Sequence, residues 1–229
     1  MMRLPLCLLL TLVLAASASA QQKPNGFEKD IQAFEASDKT NPPPKGAILF
    51  TGSSSIRLWK TVTKDFPQYH VINRGFGGSQ ISDCIYFVDR IVTPYEPSAI
   101  VFYAGANDIN AKKSPETVLA DFKTFVGKVR EKLPKTKIAF IAIAGNPARW
   151  AQVDNVRKAN RMVSEWTAMQ DGLSFINVFP AMMGDDGMPK PDIFVGDRLH
   201  MNEKGYVIWK GIVGEHLKKI LPENSPALR

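Results

Sequence analysis

Three consecutive hydroxyls, Ser53, Ser54 and Ser55, follow one glycine at the end of the apolar stretch "AILFTG". A serine hydroxyl becomes a nucleophile when a base can take its proton, a third group orients that base, and donors receive the oxyanion formed on attack. The chain has residues of each type. Of its histidines, His200 lies in a loop with Asp197 three residues earlier, a spacing that lets the carboxylate accept from Nδ1 and leaves Nε2 free to face a serine. His70 stands at the start of an apolar segment and His216 within a helical pattern, so both are expected to be structural. For the oxyanion, Gly77-Gly78 offers an unobstructed backbone N–H and Asn107 a side-chain amide. Each signal is weak alone, because glycine pairs and Asn-Asp steps usually mark turns. A catalytic zinc needs three protein ligands; His200 and Glu203 supply two, so no metal site is expected.

These residues gain weight from the elements between them. Five apolar runs, "GAILFTG", "YHVINRG", "SAIVFYAG", "TKIAFIAIAG" and "LSFINVFP", alternate with helical patterns, the longest being Ser114 to Lys132, Gln152 to Met169 and Asn202 to about Leu221. Buried strands separated by helices predict an α/β fold, a five-stranded parallel sheet covered on both faces in three layers. Ligands of such sheets bind beyond the carboxyl ends of the strands. There the sequence reads "GSSS" (52–55), "NRGFGGS" (73–79), "GANDI" (105–109), "GNPARW" (145–150) and, before the last helix, "GDRLHMN" (196–202). In the fourth loop Arg149 could meet an anionic group, and Trp150 either stacks on a sugar or packs the next helix. Trp59 and Tyr103 are expected in the core, and Arg57 and Arg74 over loop surface.

With those blocks in order, the chain resembles the SGNH, or GDSL-type, hydrolases, and in particular the branch similar to platelet-activating-factor acetylhydrolase catalytic subunits and bacterial acetylesterases. "GSSSI" occupies the first block, Gly-Asp-Ser-Leu/Ile, which implies Ser54 as nucleophile. "NRGFGG" implies Gly78, and "GAND" implies Asn107, as oxyanion donors beside the Ser54 N–H. "DRLH" implies Asp197 and His200 as the rest of a triad. The resemblance further implies a flavodoxin-like α/β/α sandwich, no cofactor, and an ester substrate with a short acyl group. Ser53 stands where the family usually has aspartate, a departure that bears on loop support; Ser55 is expected to open the helix. The α/β-hydrolase elbow, Gly-x-Ser-x-Gly, is not met, because "GSSSI" ends in Ile56.

The first twenty residues, "MMRLPLCLLLTLVLAASASA", have a basic start, an apolar run and a small-residue ending at Ala20. They predict a cleaved secretory signal, and hence a periplasmic or extracellular protein without stable membrane insertion. Loss of Arg3 with the signal lowers the formal charge from +7 to +6 and leaves Cys84 as the single cysteine. Lysines are scattered, which argues against nucleic acid as a partner and for a solvated basic surface attracted to anionic polymers. Residues 21–45 are expected to form a lead-in helix and Pro-rich linker, 46–222 the hydrolase domain, and 223–229 a frayed tail. An acetylated carbohydrate is the favoured substrate. The alternatives are a lysophospholipase or thioesterase acting on longer chains, or a carbohydrate-binding module without activity.

Overall fold

A computed structural model describes residues 26–229. The secretory signal expected over residues 1–20 lies outside the described residues. Strands β1 (Ile48–Gly52), β2 (Val71–Gly75), β3 (Ala99–Tyr103), β4 (Lys137–Ile141) and β5 (Leu173–Ile176) form one all-parallel sheet in the order β2-β1-β3-β4-β5. The helices are α1 (Glu28–Thr40), α2 (Ser54–Arg57), α3 (Val62–Asp65), α4 (Ile81–Tyr86), α5 (Val88–Ile91), α6 (Ala106–Asn110), α7 (Pro115–Lys132), α8 (Val153–Ala168) and α9 (Glu203–Ile220).

Strand residues alternate between two cores, as a pleated sheet covered on both sides requires. Leu49, Ile100, Phe102, Ile138 and Phe140 pack with Phe122, Phe125 and Val129 of α7 and Val163 of α8. Ile48, Phe50, Val101, Tyr103 and Ile141 pack with Trp59, Phe66 and, from α9, Trp209 and Val213. Trp59 and Tyr103 are thus in the core as expected, 1% and 5% exposed. His216 reads as structural too, its Nε2 lying 2.8 Å from Ser174 Oγ. The Cys84 thiol is buried, and burial raises its pKa far above the usual thiol range.

The chain reverses its winding between β1 and β3. β1 leads into α2 on one face, whereas β3 leads through α6 into α7 on the other, so the two following loops diverge and leave a crevice at their shared end. Gly52 makes that approach possible. It has φ +124°, and a Cβ there would lie 2.0 Å from the Tyr103 carbonyl oxygen, which instead accepts the Ser53 N–H at 2.8 Å.

Two expectations are corrected. Arg74 does not cover loop surface. Its guanidinium pairs with Asp38 of α1, donates from Nε to Tyr95 Oη at 2.7 Å, and lies over the Phe34 ring. Tyr95 Oη in turn donates to Asp38 at 2.5 Å, while Arg90 grips both oxygens of Glu35 and one of Glu28. These long-range ion pairs hold the lead-in helix on the sheet's edge, where Phe27 meets Phe76 edge to face and stands beside Gly78. The second correction is the C-terminal segment. Instead of fraying, it extends the edge of the sheet: Ala227 accepts from His70 N at 2.7 Å, Gln68 accepts from Arg229 N, and Ala227 and Ser225 are buried.

Removing Arg74 would leave Asp38 and Tyr95 without their shared cation in a half-closed site. Arg74→Ala is therefore expected to lower stability by about 2–3 kcal/mol, measured as a lower urea midpoint. A shift under about 0.5 kcal/mol, the scale of an ordinary surface substitution, would mean that Arg90 alone holds α1.

Candidate active site

At the carboxyl ends of the strands, two loops bring Ser54, His200 and Asp197 into one chain of hydrogen bonds. Ser54 Oγ is 2.9 Å from His200 Nε2, and His200 Nδ1 is 2.6 Å from Asp197 Oδ2. Ser53 is extended (φ −88°, ψ −164°), and α2 opens at Ser54 rather than at Ser55, one residue earlier than expected. Ser55 serves as a brace: its carbonyl accepts from Tyr206 Oη at 2.9 Å. Asn73 of β2, to which the sequence assigned no role, donates to the Ile56 carbonyl at 2.8 Å and accepts the Gly75 N–H at 2.9 Å. α2 is thereby fixed against β2.

Asp197 and His200 share a tight turn. Phe194 and Met201 form an antiparallel bridge, Val195 N donates to the His200 carbonyl, and Arg198 N donates to Val195 O. Arg198 itself is left-handed (φ +59°), and its carbonyl accepts the Ala148 N–H from the β4 loop at 3.1 Å. Within the turn, Asp197 Oδ1 accepts the backbone N–H of both Leu199 and His200 at 2.9 Å. Those bonds, with the one from the His200 ring, bring the Asp197 pKa down to about 2. The carboxylate therefore stays charged at any pH where the imidazole could act as a base. Downstream, Asn202 caps α9 by accepting from Lys204 and Gly205 N–H.

Asn107 sits in the first turn of α6 with its amide pinned at both ends. Its Oδ1 accepts from Arg149 Nη1 at 2.9 Å, and its Nδ2 donates to the Ser79 carbonyl at 3.0 Å and to Ser53 Oγ at 2.9 Å. The second contact points the amide toward the serine loop, and an oxyanion arriving there would displace the Ser53 hydroxyl. Gly78 is in the β2–α4 loop at φ +87°, one residue before the carbonyl that Asn107 grips. Neither the Gly78 N–H nor the Ser54 N–H donates to an acceptor among the described residues.

Asp108, also missed from sequence as a support, is fully buried. Both its oxygens accept from Ile81 N at 3.2 Å, and it pairs with Lys113 at 3.0 Å, which ties the β2–α4 loop to α6. Burial pushes its pKa up, with Lys113 acting in the opposite direction. The signal for this role was present in "GAND": an acid inside a glycine turn between strand and helix has backbone N–H groups within reach.

The cleft around Ser54 is narrow and is lined by Tyr103, Asn146, Arg149, Met182, Phe194 and Leu199, among others. Arg149 is one of its lining residues. Trp150 does not line it; it packs beside Gly145 and Val156, with the Arg157 guanidinium 5.6 Å over its ring, which favours the packing role over sugar stacking. A larger groove between Leu58 and Val207 is lined by neither Ser54 nor His200.

A parallel α/β sandwich with a serine, a histidine and an aspartate linked at its strand ends is the arrangement of a hydrolase. The comparisons agree. The model of the GDSL-like lipase/acylhydrolase family matches residues 50–208, and the chain belongs to that family. No curated protein matches the chain significantly. Among solved structures, a Streptococcus pneumoniae protein described provisionally as a platelet activating factor is 20% identical, with TM-score 0.74 over 83% of this chain and 92% of its own. A GDSL-like lipase from Bacteroides thetaiotaomicron is 16% identical, with TM-score 0.70 over 83% and 98%. An acetyl-xylooligosaccharide esterase from Geobacillus is 15% identical, with TM-score 0.62 over 80% and 97%. At these identities the likeness is one of fold, and the fold is that of the SGNH hydrolases expected from sequence.

Proposed function

We propose that the protein is an exported serine esterase that removes short acyl groups, acetyl above all, from carbohydrate esters through an acyl-enzyme. The observation that carries this reading is the unbroken Asp197–His200–Ser54 chain, with contacts of 2.6 and 2.9 Å, opening on a narrow cleft. Ser54 Oγ attacks the ester carbonyl carbon while its proton passes to His200 Nε2. The oxyanion is received by the N–H groups of Ser54 and Gly78 and by Asn107 Nδ2. Collapse of the tetrahedral species breaks the bond to the alkoxy oxygen, which leaves with the proton from Nε2. Water then gives its proton to Nε2, attacks the acyl carbon, and Ser54 Oγ leaves with that same proton. Asp197 stabilises the imidazolium at each step.

The apolar walls of the cleft, Met182, Phe194 and Leu199, stand close around the serine and support a small acyl group. The carbohydrate part rests on the leader sequence and on the fold shared with an acetyl-xylooligosaccharide esterase. Rates on p-nitrophenyl esters test the acyl preference. kcat/KM is expected to fall at least about tenfold between acetate and octanoate, a loss of about 1.4 kcal/mol in transition-state binding. A rate that holds or rises with chain length would overturn it in favour of a lysophospholipase or thioesterase.

A further inference from the structure

The cleft contains a cation without a counter-ion. Arg149 uses Nη1 for Asn107 Oδ1 at 2.9 Å and the Ala106 carbonyl at 3.2 Å. Its Nε and Nη2 donate to no described residue, yet neither is sealed from solvent. No carboxylate among the described residues pairs with it, and none lines the cleft. Arg74 and Arg90, also half-buried, are matched by acids, and Arg130, which has no acid, lies away from the cleft and donates to the Asp171 carbonyl. Burial disfavours the Arg149 charge, and no protein carboxylate offsets it.

A neutral amide could hold Asn107 Oδ1 without bringing a charge into the cleft. A planar guanidinium with two nitrogens still free is suited to a second task, two-pronged recognition of a carboxylate or phosphate. The basic chain, at +6 without the signal, would also attract anionic polymers.

On the proposed esterase activity, we infer that the preferred substrate is an acetylated sugar bearing an anionic oxygen group, carboxylate or phosphate, close to the scissile ester, and that the free edge of Arg149 binds that group. The residue then serves specificity through Nε and Nη2 and positions the oxyanion amide through Nη1.

The two tasks separate in a ratio of rates. Acetate release is measured from O-acetylated galacturonate oligomers and from the same oligomers with their carboxyls methyl-esterified, with p-nitrophenyl acetate as a neutral reference. A second pair, an O-acetylated glucose phosphate and O-acetylated glucose, tests the phosphate source. The native protein is expected to favour the anionic member of at least one pair about tenfold or more, the scale of one charge-assisted contact. The preference should shrink in high salt, collapse to about unity in Arg149→Gln, and survive in part in Arg149→Lys. Loss of the positioning task lowers p-nitrophenyl acetate hydrolysis as well and so cancels in the ratio. Equal rates within both pairs, or a preference unchanged in Arg149→Gln, would overturn the inference while leaving the esterase reading intact. Failure to cleave p-nitrophenyl acetate at all would overturn both.

Discussion

Ser54→Ala is expected to lower kcat/KM for p-nitrophenyl acetate by about 10⁴-fold or more, because no neighbouring group can take over the attack. The Ser53 hydroxyl, next to it in the chain, faces Asn107 Nδ2, whereas His200 Nε2 faces Ser54 Oγ. Ser54 Oγ makes one side-chain contact, to His200, so the variant should fold normally, with its melting temperature within about 2 °C of the native value, as for substitutions outside the core. Ser53→Ala is the control. It frees one N–H of Asn107 while the Ser79 carbonyl still holds the other, so activity should stay within about tenfold of native, less than the loss of a whole oxyanion donor. If Ser53→Ala were instead the silent variant, the first block would have been aligned one residue out of register.

Much of this site was legible because its parts are local. The Asp197 to His200 spacing closes within one turn, and the turn is held by the aspartate's own bonds to the next two N–H groups. The strands were legible as apolar runs because burial on both faces removes the need for alternation, and their observed spans lie inside those runs. Helix α7 begins where Ser114 caps it, by accepting from Thr117 N. What stayed hidden depends on contacts distant in sequence. Asp38 and Arg74 are thirty-six positions apart, and Arg149 reaches Asn107 across forty-two. No periodicity records such pairings, so Arg74 read as a surface residue and the last seven residues as a tail. Ser55 was placed at the helix start because helix onsets resolve poorly from sequence.

The departure at Ser53 also bears on the proposed oxyanion site. In the resting protein its hydroxyl occupies the Asn107 donor that a substrate oxygen would need. A neutral hydroxyl can yield that donor without leaving a buried charge behind, and Ser53 is itself 4% exposed. On that proposal Arg149 would keep the amide oriented, since its bond to Oδ1 opposes a turn of the amide oxygen toward the oxyanion.

Asp197→Asn is expected to be nearly as damaging as loss of the nucleophile, about 10⁴-fold in kcat with KM little changed. The reason lies in how the carboxylate is used. Oδ1 serves two backbone donors, Leu199 N and His200 N, and Oδ2 serves His200 Nδ1. An asparagine has one oxygen, and keeping it on the backbone pair preserves two bonds of the three. Its NH₂ then faces Nδ1, which must become an acceptor, so the ring proton moves to Nε2 and the base can no longer take the proton of Ser54. The opposite orientation sets two donors against two donors and opens the turn. A folded but inactive protein, without the Nδ1 proton signal at low field in its NMR spectrum, is therefore the expected outcome. Stability at low pH provides a second measurement. The native carboxylate titrates at about 2 in the fold, below its unfolded value of about 3.9. Its stabilisation is thus complete above the unfolded value and lost as pH falls toward 2, a dependence that the asparagine should remove. Activity retained within tenfold of native would show that Asp197 does not set the tautomer of His200.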